Sequence, residues 1–328
     1  MKVVITGGCG FLGLRLARRL LERGELTGPD GRPAAIDAIV LVDVQLPTVR
    51  PDWADARVVL AAGDIADAAF TASLLDRDDV SVFHLASVVS AQAETDLELA
   101  LRINIDGGRS ILDAARARAG APRVVTTSTY ATFGGELPAV CTDTTKLTPQ
   151  STYGATKVIL EVLVNDYTRR GAIDGRVARL PTVIVRPGAA NKAASSLASA
   201  IFREPLLGRD YEIPVQPGTR VAVTGVRTVI EGLIALHEAD GAALGLDRAV
   251  SFPSTPVTVE EMVATLHRVL GDRPLGALGW RPDASVEAIV STWPSIVDAS
   301  RALALGVAPV DALERIIRDA AAEIAPLS

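Results

Sequence analysis

The sequence predicts an α/β protein: a doubly wound parallel sheet followed by a smaller C-terminal α+β portion. Three observations point to it. In the first half, short β-branched runs alternate with amphipathic helical stretches, the pattern of βαβ units whose parallel sheet is covered on both faces. A glycine cluster joins the first strand to the first helix. After Gly188 the alternation stops, and Pro and Gly interrupt the chain irregularly.

The elements follow in order. "KVVIT" (2–6) reads as a short buried strand. In "FLGLRLARRLLERG", Leu12, Leu16, Leu20, Ala17 and Leu21 share one helical face, and Gly24 ends the run. The strand signature returns at 38–44, 57–65, 81–87, 123–129 and 176–188, with helical stretches near 66–76, 92–118 and 151–170. Residues 1–175, with a last strand near 176–186, are assigned to the first unit, and 187–328 mainly to the second. In that second part, helices are expected over 226–240, 258–271 and 310–324, with short strands in "YEIPVQPGTRVAVT".

Composition excludes several classes of function. The chain has 328 residues, 48% of them apolar and 22% charged, which is ordinary for a folded domain and far from disorder. A net charge of −6 offers no attraction to nucleic acid or an anionic membrane. Two cysteines and three histidines, without ligand spacing, give no metal site and no disulfide framework. No apolar run is long enough to span a bilayer. "MKVVITGG" enters a strand at once, so no signal peptide is expected and the expected location is the cytoplasm.

"ITGGCGFLG" carries Gly7, Gly10 and Gly13 directly after a strand and directly before a helix that opens at Phe11 and Leu12. In a Rossmann-type turn the first glycine permits the tight bend, the second lets backbone approach a pyrophosphate, and the third allows close helix packing. The helix N-terminus then presents free N–H groups to the phosphates. A ligand-free glycine turn is the competing reading, but the full strand–turn–helix context favours a dinucleotide. Asp43 closes the second strand in "LVDV", where a carboxylate binds ribose hydroxyls and repels a 2′-phosphate, which selects NAD. It lies further from the glycines than usual because "ELTGPDGRPAA" (25–35) is inserted, expected as a surface loop. Asp64, followed by Ile65, is placed to receive the adenine amino group.

The triplet "STY" occurs twice, around Tyr130 and Tyr153. Tyr153 has Lys157 four residues on in a helical stretch, so both project from one face. An ammonium there lowers the phenol pKa, as a base that removes an alcohol proton requires. With four tyrosines and four lysines in the chain, this spacing rarely arises by chance. Tyr130 follows a strand directly and reads as packing. Ser128 and Thr129 end that strand at the carboxyl edge of the sheet, where they either hold a substrate oxygen or cap a turn.

In order along the chain, "TGGCGFLG", "LVDV", "GDI", "HLAS", "NIDG", "TTSTYATFGG", "YGATK" and "RLPTVIVRPG" resemble the landmarks of the extended short-chain dehydrogenase/reductase superfamily. That group contains nucleotide-sugar epimerases and dehydratases. The resemblance implies that Leu85, Ala86 and Ser87 line the cofactor and that Asn104 supports the site near the Tyr–Lys pair. It implies that Thr129 is the catalytic Ser/Thr, that Lys157 also holds the nicotinamide ribose, and that Pro181 and Thr182 flank the nicotinamide. Ser87 and Ser128 are added as substrate contacts.

Within the superfamily the likeness is greatest to NAD-dependent sugar-acid dehydrogenases, carried by "HLASVVSAQAETDLELALRIN", "YTRRGAIDGR", the insertion before "IDAIVLVDV", and "RPGAANKAASSLASAIFREPLLG". "RPG" stands where sugar-nucleotide enzymes have a "YGP" turn. One departure is "RVAVTGVR" (220–227), which lacks the His and aromatic of that group's pattern but retains Arg227; the segment is expected to face the pocket. Arg186, Asn191 and Arg227 are candidates to clamp a substrate carboxylate, with surface placement as the alternative for the arginines. The expected activity is oxidation of a sugar-acid hydroxyl to a ketone by Thr129, Tyr153 and Lys157. Alternatives are an NDP-sugar epimerase or dehydratase that retains NAD, and a non-catalytic NAD-binding protein. Helices near 92–118 and 151–170 resemble the pair that forms a homodimer interface in the superfamily.

Overall fold

The computed structural model describes residues 1–188 and 196–326. Among these, seven strands form the main sheet: β1 (Lys2–Thr6), β2 (Ala38–Asp43), β3 (Val58–Ala62), β4 (Val80–His84), β5 (Arg123–Thr129), β6 (Asp174–Leu180) and β7 (Ala249–Ser251). Their order is β3-β2-β1-β4-β5-β6-β7, every pairing parallel. Order reverses between β1 and β4, and a ligand crevice opens at the carboxyl ends beside such a reversal.

Side-chain alternation explains the double covering. From β1 and β2, Val3, Ile5, Ile39 and Leu41 enter one core, which is closed by Leu16 and Leu20 of the helix Phe11–Arg23 and by Leu233 of the helix Val226–Glu238. Val4, Val40 and Val42 point the other way, onto Leu74, Ile111, Leu112, Leu160 and Val164. Those residues come from the helices Ala68–Leu74, Gly108–Arg116 and Thr152–Arg169. Period-two strands between period-3.6 helices cover both faces of the central strands, and the edge strand β3 alone leaves Val59 exposed among those described.

Three expectations need correction. The strand within 176–186 is not the last of the sheet, because β7 pairs outside it. Residues beyond 187 thus return to the first unit, supplying both β7 and the helix Val226–Glu238. The insertion 25–35 is not a simple surface loop. It is a hairpin of Glu25–Thr27 against Pro33–Ala35, with Leu26 buried. The stretch 92–118 is not one helix either: Ser90–Thr95, Leu97–Ala100 and Gly108–Arg116 are separated by a break at Asp96 and by a widened π-helical segment, Leu101–Gly107.

The second portion has its own core. The chain leaves β6 at Leu180 and at once forms the strand Thr182–Ile184, which pairs with Arg220–Gly225; that strand in turn pairs with Thr255–Thr258. Helices Leu197–Leu206, Val259–Leu270 and Leu313–Ile324 cover this small sheet through Phe202, Leu266 and Ile317.

The hairpin is anchored by charge. Glu238 accepts hydrogen bonds from the Thr27 N–H (3.0 Å) and hydroxyl (2.9 Å). It also pairs with Nδ1 of buried His237 (2.8 Å), whose Nε2 meets Ser81 Oγ (2.9 Å). Burial opposes the Glu238 charge, yet His237 and Thr27 carry its pKa down to about 2. Burial pushes His237 down to about 4. Both folded values lie below the unfolded ones, so both groups favour the fold at neutral pH and lose that contribution as pH falls, His237 from about 6.5 to 4 and Glu238 from about 4.5 to 2. Glu238→Gln should therefore cost about 2 kcal/mol at pH 7, less by pH 3 and little by pH 2; urea midpoints of both proteins across that range measure it.

Candidate active site

The first strand ends in a turn that only glycine fits. Gly7 has φ +65°, and a Cβ there would lie 2.8 Å from the Ala86 backbone nitrogen, across the reversal point. At Gly13 a Cβ would lie 2.4 Å from the Gly7 carbonyl oxygen, so the helix can sit against the turn only without a side chain. Gly10 differs: its backbone is extended, and a Cβ would meet only the Gly7 oxygen, at 3.2 Å. It precedes Phe11 and Leu12 at a helix N-terminus that has no side-chain cap and no acidic residue in its first turn. Uncapped N–H groups over an open approach are suited to bind a pyrophosphate.

Asp43 lies beside this turn. Its Oδ2 accepts the Cys9 N–H (3.3 Å) and its Oδ1 the Val44 N–H (2.9 Å), which leaves acceptor capacity on both oxygens for a ribose diol. Burial and the Asp43 charge push the Cys9 thiol up to about 11, so it stays protonated. Asp64 differs from expectation: one oxygen accepts the Ala66 N–H (2.9 Å) and the other is ion-paired with Arg102. Ile65 is buried against Gly107. Asp64 is thus already engaged, and an adenine contact would have to share it.

The loop after β4 is tied at both ends. Leu85 and Ala86 donate their N–H groups to the Thr6 carbonyl (3.1 Å) and hydroxyl (3.3 Å). Asn104, in the widened helical segment, accepts from Ser87 Oγ (3.0 Å) and Val88 N–H (2.7 Å) through Oδ1. Its Nδ2 donates to the Val88 carbonyl and to Thr156 Oγ1, both at 3.0 Å. Every polar atom of this amide is therefore engaged within the protein, and Asn104 acts by joining the β4 loop to the Tyr–Lys helix. Pro181 is buried and Thr182 half-buried where the chain passes from β6 to the small sheet.

Tyr153 and Lys157 lie in the first two turns of the helix Thr152–Arg169, which is capped by the Ser151 hydroxyl. Gly154 allows the helix to approach Ala131, whose carbonyl oxygen a Cβ would meet at 2.1 Å. Tyr153 packs against the cluster of Val88, Ala93 and Ala100. Burial pushes its phenol up to about 12, against the positive charge of Arg186 and a hydrogen bond with Thr129. Lys157 Nζ lies 5.7 Å from the tyrosine ring centre and donates to the Thr127 carbonyl (3.0 Å). Burial lowers Lys157 to about 8, while the Glu161 charge raises it. Arg186 is thus a second cation beside the phenol, in addition to the Lys157 that the sequence suggests.

Ser128 is removed from the substrate contacts. Its buried hydroxyl donates to Glu161, which sits one turn beyond Lys157 and forms a buried ion pair with Arg179 (Nη2–Oε2, 2.7 Å). Strand alternation is the reason: Ser128 points into the helix that carries Tyr153. Tyr130 is buried with its hydroxyl on the Phe252 carbonyl (2.5 Å) and packs edge-on against Phe133, as a structural residue. Arg227 is exposed on the helix Val226–Glu238 and paired with Asp311, a surface ion pair instead of a carboxylate clamp. Asn191 lies outside the described residues. "RVAVT" forms the buried central strand of the small sheet, with Ala222 packed beside Tyr130 and Phe133, so its departure from the group pattern acts through packing.

Three residues escaped the sequence reading. Glu161 continues the Tyr153–Lys157 spacing by a further four residues, a periodic signal that was available. His84, buried with Nδ1 on Thr6 Oγ1 (2.7 Å), and Arg203, buried in the helix Leu197–Leu206, left none.

A glycine turn at the reversal of a doubly wound sheet, an acidic strand end and a buried Tyr–Lys helix together define an NAD-linked α/β enzyme. Residues 3–238 match the model of the NAD dependent epimerase/dehydratase family, and the chain belongs to that family, with NAD as its cofactor. It is 46% identical to a D-erythronate dehydrogenase of Cupriavidus necator over 97% of both chains. It is 40% identical to the D-erythronate dehydrogenase of Haemophilus influenzae, over 93% of this chain and 94% of that one. A crystal structure described as a nucleoside-diphosphate-sugar epimerase from Agrobacterium tumefaciens superposes with a TM-score of 0.89 at 34% identity, covering 98% of this chain and 93% of that one.

The glycine geometry separates binding from folding. Gly10→Ala should keep the unfolding free energy within about 1 kcal/mol of wild type but weaken NAD at least about tenfold. Gly13→Ala, whose Cβ meets backbone, should cost well over 1 kcal/mol. NAD titration and urea unfolding of both variants check this.

Proposed function

We propose that this protein is an NAD-dependent dehydrogenase that oxidises a secondary hydroxyl of a small sugar acid, D-erythronate or a near relative, to a ketone. The observation that carries the reading is the helix that places Tyr153 and Lys157 one turn apart, with the ammonium 5.7 Å from the ring centre, in a family whose cofactor is NAD. The two D-erythronate dehydrogenases support the substrate class. Tyr153 accepts the proton of the substrate hydroxyl once deprotonated, a state that burial opposes and the Arg186 and Lys157 charges favour. Thr129 orients that oxygen, and Arg186 stabilises the negative charge on the phenolate. Lys157, fixed on the Thr127 carbonyl, adds positive charge near the ring and would hold the nicotinamide ribose. Gly7, Gly10 and Gly13 with Phe11 and Leu12 would hold the pyrophosphate of NAD, Asp43 its ribose hydroxyls, and Leu85 to Ser87, Pro181 and Thr182 its nicotinamide side. The bound cofactor would supply the acceptor for the hydride that leaves the substrate carbon.

A second reading, an NDP-sugar epimerase that returns the hydride, is favoured by the structural likeness to the Agrobacterium protein. The deciding measurement is NADH formation with four- to six-carbon aldonic acids beside UDP-sugars. Stoichiometric NADH from an aldonic acid, reduced about 10²–10⁴-fold by Tyr153→Phe, is expected; an isomerised UDP-sugar without NADH would reverse the assignment. No turnover of either would leave a non-catalytic NAD-binding protein.

The active form is a homodimer through the helix Thr152–Arg169, which leaves Ile159 and Val162 exposed one turn apart on its outer face. A soluble cofactor and a small acid support the cytoplasm as its place of work. Val162→Glu should shift the sedimentation coefficient from dimer to monomer; an unchanged monomeric value in wild type would exclude the dimer.

A further inference from the structure

His84 is a buried titratable group that the reaction above leaves unused. It ends β4 as Thr6 ends β1, and the two lie opposite each other in the parallel register. Val80 and Val82 of the same strand point into the core under the helices Gly108–Arg116 and Thr152–Arg169, so His84 points there too. The imidazole is 1% exposed, and a Cβ on Gly108 would stand 3.6 Å from its Nε2.

The hydrogen bonds of Thr6 fix the tautomer of this ring. Among the described residues Thr6 Oγ1 has two partners, the Ala86 N–H (3.3 Å) and His84 Nδ1 (2.7 Å). A backbone N–H only donates, so the Ala86 contact uses a lone pair of the hydroxyl oxygen. The hydroxyl proton then has one acceptor, Nδ1, which must be bare, and the ring proton sits on Nε2. A protonated ring has no bare nitrogen and would turn the Thr6 hydroxyl away. Burial first, and the Lys157 charge second, keep the ring neutral, with its pKa lowered to about 3. The position carries a cost. Nε2 has no protein partner, and neither has Thr126 Oγ1, which lies in register with His84 on β5. An unmatched buried N–H is unfavourable, and a leucine would fill the space without it. What leucine lacks is the acceptor at Nδ1.

That acceptor sets the direction of the Thr6 hydroxyl, and Thr6 sets the loop after β4. Its carbonyl takes the Leu85 N–H (3.1 Å) and its hydroxyl the Ala86 N–H. At Ala86 the loop presses on the glycine turn, where a Cβ on Gly7 would lie 2.8 Å from the Ala86 nitrogen. We propose that His84 is a positioning residue of the cofactor seat: its Nδ1 holds the Thr6 hydroxyl, so that Thr6 clamps the loop Leu85–Ser87 onto the Gly7 turn and shapes the seat for NAD. The proposal rests on the placement of NAD along that turn and loop, given above. His84 is buried behind the loop and acts through Thr6.

The test is calorimetric titration of NAD and NADH, without substrate, into wild type, Thr6→Val, His84→Leu, the double variant and His84→Asn. Valine keeps the shape of Thr6 without its hydroxyl, and asparagine offers an oxygen near the place of Nδ1. Thr6→Val and His84→Leu should each weaken NAD about three- to tenfold, the double variant should weaken it no further, and His84→Asn should recover most of the loss. Nitrogen-15 spectra of wild type, with His84 assigned among the three histidines, should show a bare Nδ1 and a protonated Nε2. Losses that multiply in the double variant, or asparagine no better than leucine, would mean that His84 only fills space and would overturn the proposal. So would an unchanged NAD affinity in Thr6→Val, which leaves the dehydrogenase reading standing. Coupled losses of NAD in a protein that oxidises no acid would keep the role of His84 and overturn the dehydrogenase reading. If the His84 variants do not fold, the wild-type spectrum decides: a proton on Nδ1 refutes the proposal.

Discussion

The buried pair Glu161–Arg179 is the constraint around which the catalytic side of the molecule is arranged. Two full charges removed from water are expensive unless every remaining lone pair and proton finds a partner. Here they do. Glu161 accepts from Arg179 and Ser128, and Arg179 extends its other arm to the Asp143 carbonyl (3.0 Å). Asp143 in turn accepts the Ser251 N–H (2.8 Å) and pairs with Arg301 (3.2 Å). One chain of charge-assisted contacts therefore joins the Tyr–Lys helix, β5, β6, the edge strand β7 and the C-terminal segment. The helix cannot slide without breaking it, and Tyr153 and Lys157 are fixed in consequence.

On the cofactor side the constraint is steric. Gly7 and Gly13 bring β1, the β4 loop and the first helix closer than any side chain permits, and Asn104 fixes that loop to Thr156 by its amide. The widened turn that carries Asn104 lets it face inward at a point where regular helical spacing would not place it; such turns recur at functional sites. The two halves of the site are thus joined by a single amide between loop and helix.

Much of this was legible in the sequence. β1 and β5 have the limits their patterns suggest, because buried parallel strands bounded by glycines or turns carry their own signal. The glycine turn, Asp43 and the Tyr–Lys spacing are local motifs and are read locally. What was not legible depends on distant partners. β7 is three residues long and recognisable only by what it pairs with. Ser128 and Thr129 are adjacent and chemically alike; the pleat sends one to Glu161 and leaves the other near Tyr153. Arg186 and Arg227 read as equivalent cations, yet one acts on the phenol and the other is held by Asp311 at the surface. Glu161 shows the opposite case: its periodicity was visible, but a carboxylate on a helix signals nothing until Arg179 faces it.

Among the described residues the chain passes between the two cores five times, at Leu180–Thr182, at Gly225–Val226 where the strand runs directly into its helix, at Ser251–Thr255, between Trp293 and Ala299, and between Val307 and Leu313. A protein joined by one linker can open like a jaw about a single axis. Five tethers spread over the join leave no such axis. Access to the crevice in this molecule is therefore a matter of local rearrangement at its rim, with the distance between Tyr153 and the substrate portion set once, when the chain folds.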